Sequence, residues 1–250
     1  MTPFPYKLGR LPREDDERDL RFAKYAAPVS ITVPENFGHE DEVKSWGMLG
    51  NDRYGCCVFA GAGHEVMLWT AEGDAPIVVT EAEVLSDYHD VAGFDPKDPS
   101  TDRGCMIRDS LKHRQQVGTL AYGKRHKLGA YLSLDPSNHD EIALALYLFG
   151  AVELGVEITA SAQQQFAEGE PWDLTKDTNV LGGHDVPLVA RRGGLYEVVT
   201  WGAVQKVTPA WWDAFVTEAW AVLSPDMLGA DGISPEGFDL ATLKADLATL

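Results

Sequence analysis

The order of its secondary-structure patterns is the feature that most constrains how this chain can fold. In the first half, apolar residues from Val58 to Trp69 recur at the spacing of one helix face. This spacing predicts a long helix that begins at Cys57 and ends near Glu72. Two further helices are predicted at 80–93 and within 104–118.

Strand patterns prevail after about residue 130. Strands are predicted at 130–134, 151–159 and 220–224, and a hairpin is predicted around Gly193-Gly194. Helices are predicted between the strands at 139–149 and 161–168, and Thr208-Pro209 opens another. Helices followed by a strand-rich half predict an α+β fold. We divide the chain into an N-terminal arm (1–45), a helical lobe (46–135), a β-rich lobe (136–225) and a C-terminal linker and helix (226–250).

Composition and charge exclude several classes of protein. The net charge is −18, so phosphate backbones would repel the chain and nucleic-acid binding is not expected. No apolar run approaches the roughly 18 residues of a membrane span, and the N-terminus lacks the apolar core of a signal peptide. Three cysteines, an odd number, argue against a disulfide framework. We therefore expect a reducing compartment, the cytoplasm or an assembly made there.

Two adjacent cysteines stand where the first long helix is predicted to begin. Gly55 precedes Cys56 and Cys57, and the free N–H groups and positive dipole end of a helix start stabilise a thiolate. A lowered pKa is therefore expected at this position. The alternative interpretation is that both are small side chains packed in the core.

A nucleophilic cysteine needs a base. His64 lies about 10.5 Å along the helix from Cys57, at 1.5 Å rise per residue, which is too far for a hydrogen bond. His184 is the better candidate, because it follows Gly182-Gly183 at the start of an apolar strand and glycines let another backbone approach closely. A strand histidine that faces a helix-start cysteine satisfies the geometry of base and nucleophile.

Several segments resemble the papain-like cysteine peptidases, in their bacterial and bacteriophage-type variant. They occur in the family's order: "LPREDDERDLRF", "GNDRYGCCV", "GCMIRDSLKHRQQVG", "DEIALALYLFGAVELGVEI" and "GGHDVPLVARRGGLYEVVTWG". The resemblance implies a two-lobe fold, with the nucleophile on the helical lobe and the histidine on the β-rich lobe. It also implies that Cys57 is the nucleophile, that His184 is the base and that Asn51 helps to form the oxyanion hole. Cys56 falls on a position that the family gives to a small packed residue.

The group that orients the histidine is not fixed by the sequence. The family uses an asparagine here, whereas this chain has Val199 and Thr200 before Trp201. Val199 cannot form a hydrogen bond, and Thr200 can do so only if the strand is one residue shorter. The residue count between His184 and Trp201 permits either alignment.

Two functions are open at this point. The first is a papain-like cysteine hydrolase that cleaves peptide or amide bonds through a Cys57 acyl-enzyme. The second is a structural or interaction protein that keeps the fold with weakened or no catalysis, such as a bacteriophage virion component. Its assembly partners would bind the Trp211/Trp212 helix or the C-terminal helix, although packing at an interface between lobes is the preferred interpretation of the two tryptophans. The cysteines and histidines lack metal-site spacing, so neither a metal nor another cofactor is expected.

Overall fold

A computed structural model describes residues 6–26 and 31–227 of the chain. The predicted C-terminal helix, Asp239 to Leu250, lies outside the described residues. The four-part division of the chain into arm, lobes and tail stays a prediction. The α+β fold predicted from the sequence is confirmed.

The described residues form seven α-helices and nine β-strands. The helices are α1 (Ala23–Ala26), α2 (Cys57–Glu72), α3 (Glu81–Ala92), α4 (Ile107–Gln116), α5 (His139–Phe149), α6 (Ala160–Glu168) and α7 (Pro209–Phe215). The strands are β1 (Phe37–Gly38), β2 (Thr119–Ala121), β3 (Lys124–His126), β4 (Ala130–Leu134), β5 (Val152–Thr159), β6 (Val180–Arg192), β7 (Leu195–Thr200), β8 (Ala203–Val207) and β9 (Val216–Leu223). Within this part of the chain, every helix is too short or too polar to cross a bilayer.

An antiparallel sheet is the frame of the molecule. Its strand order is β4-β9-β5-β6-β7-β8, and β1 pairs with β6. The predicted hairpin is β6–β7, in which Arg192 pairs with Leu195 and the two-residue turn is Gly193-Gly194. Both glycines have positive φ, as a type I′ hairpin turn requires. No strand was predicted between this hairpin and the helix that opens at Thr208-Pro209. This was wrong, because β8 continues the sheet before α7 begins.

Both faces of the sheet are covered, which explains why its strands have continuous apolar runs. On one face Val186, Leu188 and Val198 belong to the core that contains residues of α5, α6 and α7. On the other face Val189 and Val199 belong to the core built around α2, α3 and α4. Side chains along a strand alternate between faces, so each strand of the β6–β7 hairpin supplies both cores. This alternation also decides which side chains of the hairpin meet below.

Helix α2 is the central helix of the fold. All of its residues are buried, including the ionisable His64, Glu65 and Glu72. A helix that is apolar on nearly every side has to be enclosed on nearly every side, here by β6, α3 and α4. Its first residue, Cys57, is consequently held inside the protein.

A buried ion cluster joins α2 to the sheet. Arg114 on α4 donates to Glu65 Oε2 on α2, and to Glu153 Oε2 on β5 at 2.6 Å. All three side chains are almost completely buried. Burial raises the pKa of Glu65 and of Glu153, whereas the Arg114 charge acts in the opposite direction. Arg114 therefore supplies the positive charge that two buried carboxyls share.

The tryptophan pair on α7 packs inside the protein. Trp211 and Trp212 are each 1% exposed. Trp211 packs on Trp172, with ring centroids 4.7 Å apart, and Trp212 packs on Tyr196 at 4.3 Å. The two rings fill the core that contains residues of α5 and α6, so they offer no surface to a partner. Binding of assembly partners by other residues of this helix stays a prediction.

Replacing Arg114 by methionine should destabilise the fold strongly. Glu65 and Glu153 would lose their shared counter-charge, and the free energy of unfolding should fall by about 3–5 kcal/mol at neutral pH. Both carboxyls bind protons more tightly folded than unfolded, so the variant should regain stability as the pH falls from neutral toward ordinary carboxyl values. Urea unfolding at both pH values measures this.

The matched control is Lys112→Met on the same helix. Lys112 pairs with Asp109 at 3.9 Å at the surface, so its loss should leave the unfolding free energy almost unchanged. Equal effects of the two substitutions would contradict a structural role for the buried cluster.

Candidate active site

Cys57 lies at the first position of α2 and is 1% exposed. The backbones of Asp185, Gly9 and Val58 lie near its thiol and act to lower its pKa. Burial raises the pKa of the thiol to about 12, and the nearby Asp185 carboxyl acts in the same direction. The expectation of a low pKa was therefore wrong for this conformation. The helix start is sealed from water, and desolvation outweighs the favourable dipole.

His184 lies on β6, completely buried, on the face opposite to α2. Its Nε2 is 2.9 Å from Thr200 Oγ1. Thr200 shares this face with Val198, whereas Val199 points into the α2 core. A bulge between Leu188 and Ala190 shifts the β6–β7 register by one residue. Of the two alignments that the sequence left open, the structure selects Thr200 as the partner of His184.

Trp201 covers the histidine. The two rings are stacked with centroids 4.7 Å apart, and Tyr6 stacks on the other face of Trp201 at 4.8 Å. Thr200 pairs with Ala203, so Trp201 and Gly202 form a two-residue turn. Trp201 has φ of 44°, a left-handed conformation that costs a non-glycine residue about 1–2 kcal/mol. The hairpin thus carries local strain at the residue that shields His184.

Only one of the two ring nitrogens of His184 is hydrogen-bonded. None of the described residues forms a hydrogen bond with Nδ1. Burial lowers the pKa of His184 to about 3, and the Arg10 charge acts in the same direction. The ring is therefore neutral at physiological pH. No hydrogen bond joins it to the Cys57 thiol, which lies against the main chain of the next residue, Asp185.

The N-terminal arm covers this site. Arg10 N donates to Gly183 O at 3.1 Å, Leu11 N to Cys105 O at 2.9 Å, and Cys105 N to Gly9 O at 2.9 Å. The arm thereby pairs with the start of β6 on one side and with the loop before α4 on the other. It thereby joins β6 to the loop before α4 beside the start of α2, where Gly9 lies against Gly55.

Only glycine permits so close an approach of backbones. A Cβ on Gly9 would lie 2.0 Å from Gly55 O, and a Cβ on Gly183 would lie 2.5 Å from Arg10 O. Gly104 has φ of 75°, and a Cβ there would lie 2.0 Å from Gly9 O. The depth at which the arm lies is therefore set by main-chain contacts.

Arg10 anchors the arm in the interior. Its guanidinium donates to Glu157 Oε1 at 2.5 Å, to Glu218 Oε2 at 3.2 Å and to Thr217 Oγ1 at 3.2 Å. Arg10 and Glu218 are almost completely buried. Breaking a buried pair leaves an uncompensated charge, so this contact holds the arm firmly.

The remaining predicted residues have separate positions. Asn51 is buried beside the start of α2, and its Nδ2 donates to Tyr54 O at 3.2 Å. Cys56 is the N-cap of α2, and its Sγ contacts Leu49 O at 3.7 Å, as expected of a packed small side chain. His64, which the sequence excluded as the base, is buried with Nε2 at 3.0 Å from Gly47 O.

One group of side chains elsewhere has metal-ligand chemistry. Ligand atoms of Asp87, Asp90 and His113 lie within 4.8 Å of one another. Arg125 already donates to both carboxylates. The guanidinium neutralises the charge that would attract a cation, so we assign no metal to this group.

Sequence reasoning missed two parts of the site. It gave the arm no position in the fold, although Gly182-Gly183 was interpreted as a site of close backbone approach and Gly9 is a second such signal. It also passed over Asp185, which directly follows His184 and lies against α2. Both depend on contacts between residues far apart in the chain.

Replacing Thr200 by valine should leave His184 Nε2 without a partner. Valine has the same shape but no hydroxyl, and an unpaired buried polar group costs about 1–3 kcal/mol of unfolding free energy. Nitrogen NMR of the imidazole should also show a change in tautomer population. Thr200→Ser keeps the hydroxyl and should preserve both. If the valine and serine variants behaved alike, the hydrogen bond would have no orienting role.

Comparison with known proteins identifies the fold family to which this architecture is similar. No family model and no curated protein matches the sequence. Among solved structures, xylellain, a cysteine protease from Xylella fastidiosa, is similar with a TM-score of 0.64 at 12% identity, over 88% of this chain and 97% of that chain. A procathepsin L2 proteinase from Tenebrio molitor larval midgut gives 0.62 at 16% identity, over 89% and 81%. A procathepsin B from Trypanosoma congolense gives 0.61 at 9% identity, over 87% and 86%. The chain therefore has the fold of the papain-like cysteine proteases, as its sequence motifs predicted.

Proposed function

We propose that the protein is a papain-like cysteine hydrolase that cleaves peptide or amide bonds, with Cys57 as nucleophile and His184 as base. The observation that carries this proposal is the arrangement around His184. Thr200 holds Nε2, Trp201 covers the ring, and Nδ1 is left without a partner beside the residue that contacts the Cys57 thiol. A thiol nucleophile requires a base that is held in a fixed orientation and has a free nitrogen to accept the thiol proton.

Thr200 orients the base in this mechanism. When Nε2–H donates to the Thr200 hydroxyl, the lone pair of the neutral ring is on Nδ1. Nδ1 takes the proton of the Cys57 thiol as the sulfur attacks the acyl carbon. The backbone N–H of Cys57, at the start of α2, and the amide of Asn51 are proposed to stabilise the oxyanion.

The imidazolium then returns its proton. It protonates the leaving amine, the C–N bond breaks, and a thioester to Cys57 remains. Water, deprotonated by His184, attacks the thioester, and the thiol is regenerated as the acid product leaves. Proton and acyl group are thus both accounted for by residues of this chain and water.

The contacts of the arm support a peptide as substrate. The cleft offers Gly183 O on one side and both Cys105 N and Cys105 O on the other, and the arm uses all three as an extended strand would. An extended peptide that replaced the arm could form the same hydrogen bonds. Reaction therefore requires the arm to leave the cleft.

A second candidate function is a structural or interaction protein with this fold. The buried thiol, its raised pKa, the absence of a hydrogen bond from it to His184 and the anchored arm favour this alternative. A bacteriophage virion component would fit it, and both that origin and a cytoplasmic or virion location stay predictions.

Gly9→Ala tests the hydrolase proposal. The added Cβ would overlap Gly55 O, so the arm should leave the cleft without loss of any charged group. Iodoacetamide should then modify Cys57 at least about tenfold faster than in the natural chain. The variant should hydrolyse peptide pools, and adding Cys57→Ser or His184→Ala should lower the rate by about a hundredfold or more.

Two controls sharpen this experiment. Gly129→Ala adds the same methyl group at a site with only ordinary contacts and should leave the labelling rate unchanged. Cys56→Ser in the Gly9→Ala chain should preserve hydrolysis. If Cys57 became reactive but no peptide was cleaved, and His184→Ala left its reactivity unchanged, the structural alternative would be the correct one.

A further inference from the structure

A carboxyl group that the catalytic steps do not use lies beside the nucleophile. Asp185 follows His184 on β6, and neighbouring residues of a strand point to opposite faces. His184 faces Trp201, whereas Asp185 faces α2. Its side chain lies so close to that helix that a Cβ on Gly61 would be 2.3 Å from Asp185 Oδ2.

Gly61 places this carboxyl relative to the thiol. Cys57 and Gly61 are four residues apart on α2 and therefore lie on the same helix face, one turn from each other. The missing side chain of Gly61 leaves a notch on that face, and the Asp185 carboxyl fills it. The backbone of Asp185 lies near the thiol, and its carboxyl acts on the thiol as a like charge, so both parts of Asp185 influence Cys57.

The carboxyl has no hydrogen-bond partner. Asp185 is 3% exposed, and neither oxygen is bonded to any of the described residues. The two buried guanidiniums nearby are already engaged. Arg114 pairs with Glu65 and Glu153, and Arg10 pairs with Glu157 and Glu218.

The charges around Asp185 are therefore mainly negative. Glu65 on α2, Glu153 on β5 and Glu218 on β9 face it with like charge, and Arg114 on α4 is the nearby cation that acts on it. Arg10 lies on the same side of β6 as His184, and its charge is already paired with Glu157 and Glu218. Burial and these neighbours raise the pKa of Asp185 well above its ordinary value. Such an environment resists a second negative charge.

We propose that Asp185 is a positioning residue that keeps Cys57 in its uncharged thiol form, so that the nucleophile is inactive while the carboxyl is ionised. Cys57 and Asp185 behave as two coupled acids in one buried site, which holds one negative charge more easily than two. A carboxyl is intrinsically the stronger acid, so Asp185, even with its raised pKa, loses its proton at a lower pH than Cys57 and takes that single charge first. Asp185 acts as a brake on the nucleophile.

This brake deepens the hydrolase proposal and rests on it for its biological meaning. Lowering the charge on Asp185, by protonation or by a cationic group of an incoming substrate, releases the thiol for ionisation. A substrate with a positively charged side chain directed at this carboxyl would supply such a charge. The proposed brake thus couples nucleophile activation to the charge of whatever replaces the arm.

The test measures Cys57 ionisation directly in the full-length chain. Ultraviolet thiolate absorbance is titrated with pH, and the same titration of Cys57→Ser is subtracted. Asp185→Asn has the same shape without the charge, and it should lower the pH midpoint of Cys57 by about one unit or more. Asp185→Ala should do the same should the asparagine variant fold poorly.

Asp213→Asn is the control, because it makes the same chemical change at an exposed position of α7. It should leave the midpoint where it is in the natural chain. An unchanged midpoint in both Asp185 variants overturns the brake, whether or not the protein cleaves peptides. A lowered midpoint in a protein that cleaves nothing would support the brake and count against the hydrolase, so the two failures are distinguishable.

Discussion

A seal made of main-chain atoms, between the N-terminal arm and the start of α2, is the constraint on which the site depends. Gly9 meets Gly55 and Gly104, and Gly183 meets Arg10, at distances that exclude a side chain. The arm can therefore lie at the floor of the cleft instead of across its rim. This depth explains why Cys57 is buried, and burial is the main reason why its thiol is neutral.

The electrostatics of the interior follow from the same seal. A water-excluded site penalises both a thiolate and an imidazolium, so Cys57 and His184 rest in their neutral forms. The carboxyls around Cys57 and Asp185 outnumber the guanidiniums of Arg10 and Arg114. Arg10 belongs to the arm and is already paired with Glu157 and Glu218. Moving the arm would change solvent access and charge together. While the arm is in place, the neutral thiol and the neutral imidazole are therefore unreactive.

The sequence was informative wherever a local pattern decides the structure. The apolar stripe after Cys57 predicted α2, and the Gly193-Gly194 turn predicted the β6–β7 hairpin, because spacing and turn chemistry act between neighbours in the chain. The partner of His184 could not be decided, since a bulge at Leu188–Ala190 shifts the register and leaves no mark on the residue count. The burial of Cys57 and the position of Asp185 depend on long-range contacts, and helix-dipole reasoning alone gave the wrong direction for the thiol pKa.

The central claim is that Cys57 and His184 work as a pair once the arm is out of the cleft. A crystal structure of the full-length chain carrying Gly9→Ala, with a peptide-like inhibitor in place of the arm, tests it most directly. If the two residues work as a pair, Cys57 Sγ lies within hydrogen-bonding distance of His184 Nδ1 in that structure while Thr200 keeps its hydrogen bond with Nε2. If Cys57 Sγ instead stayed on the α2 side of β6 and made no contact with the His184 ring in the open cleft, the pairing of the two residues would be contradicted.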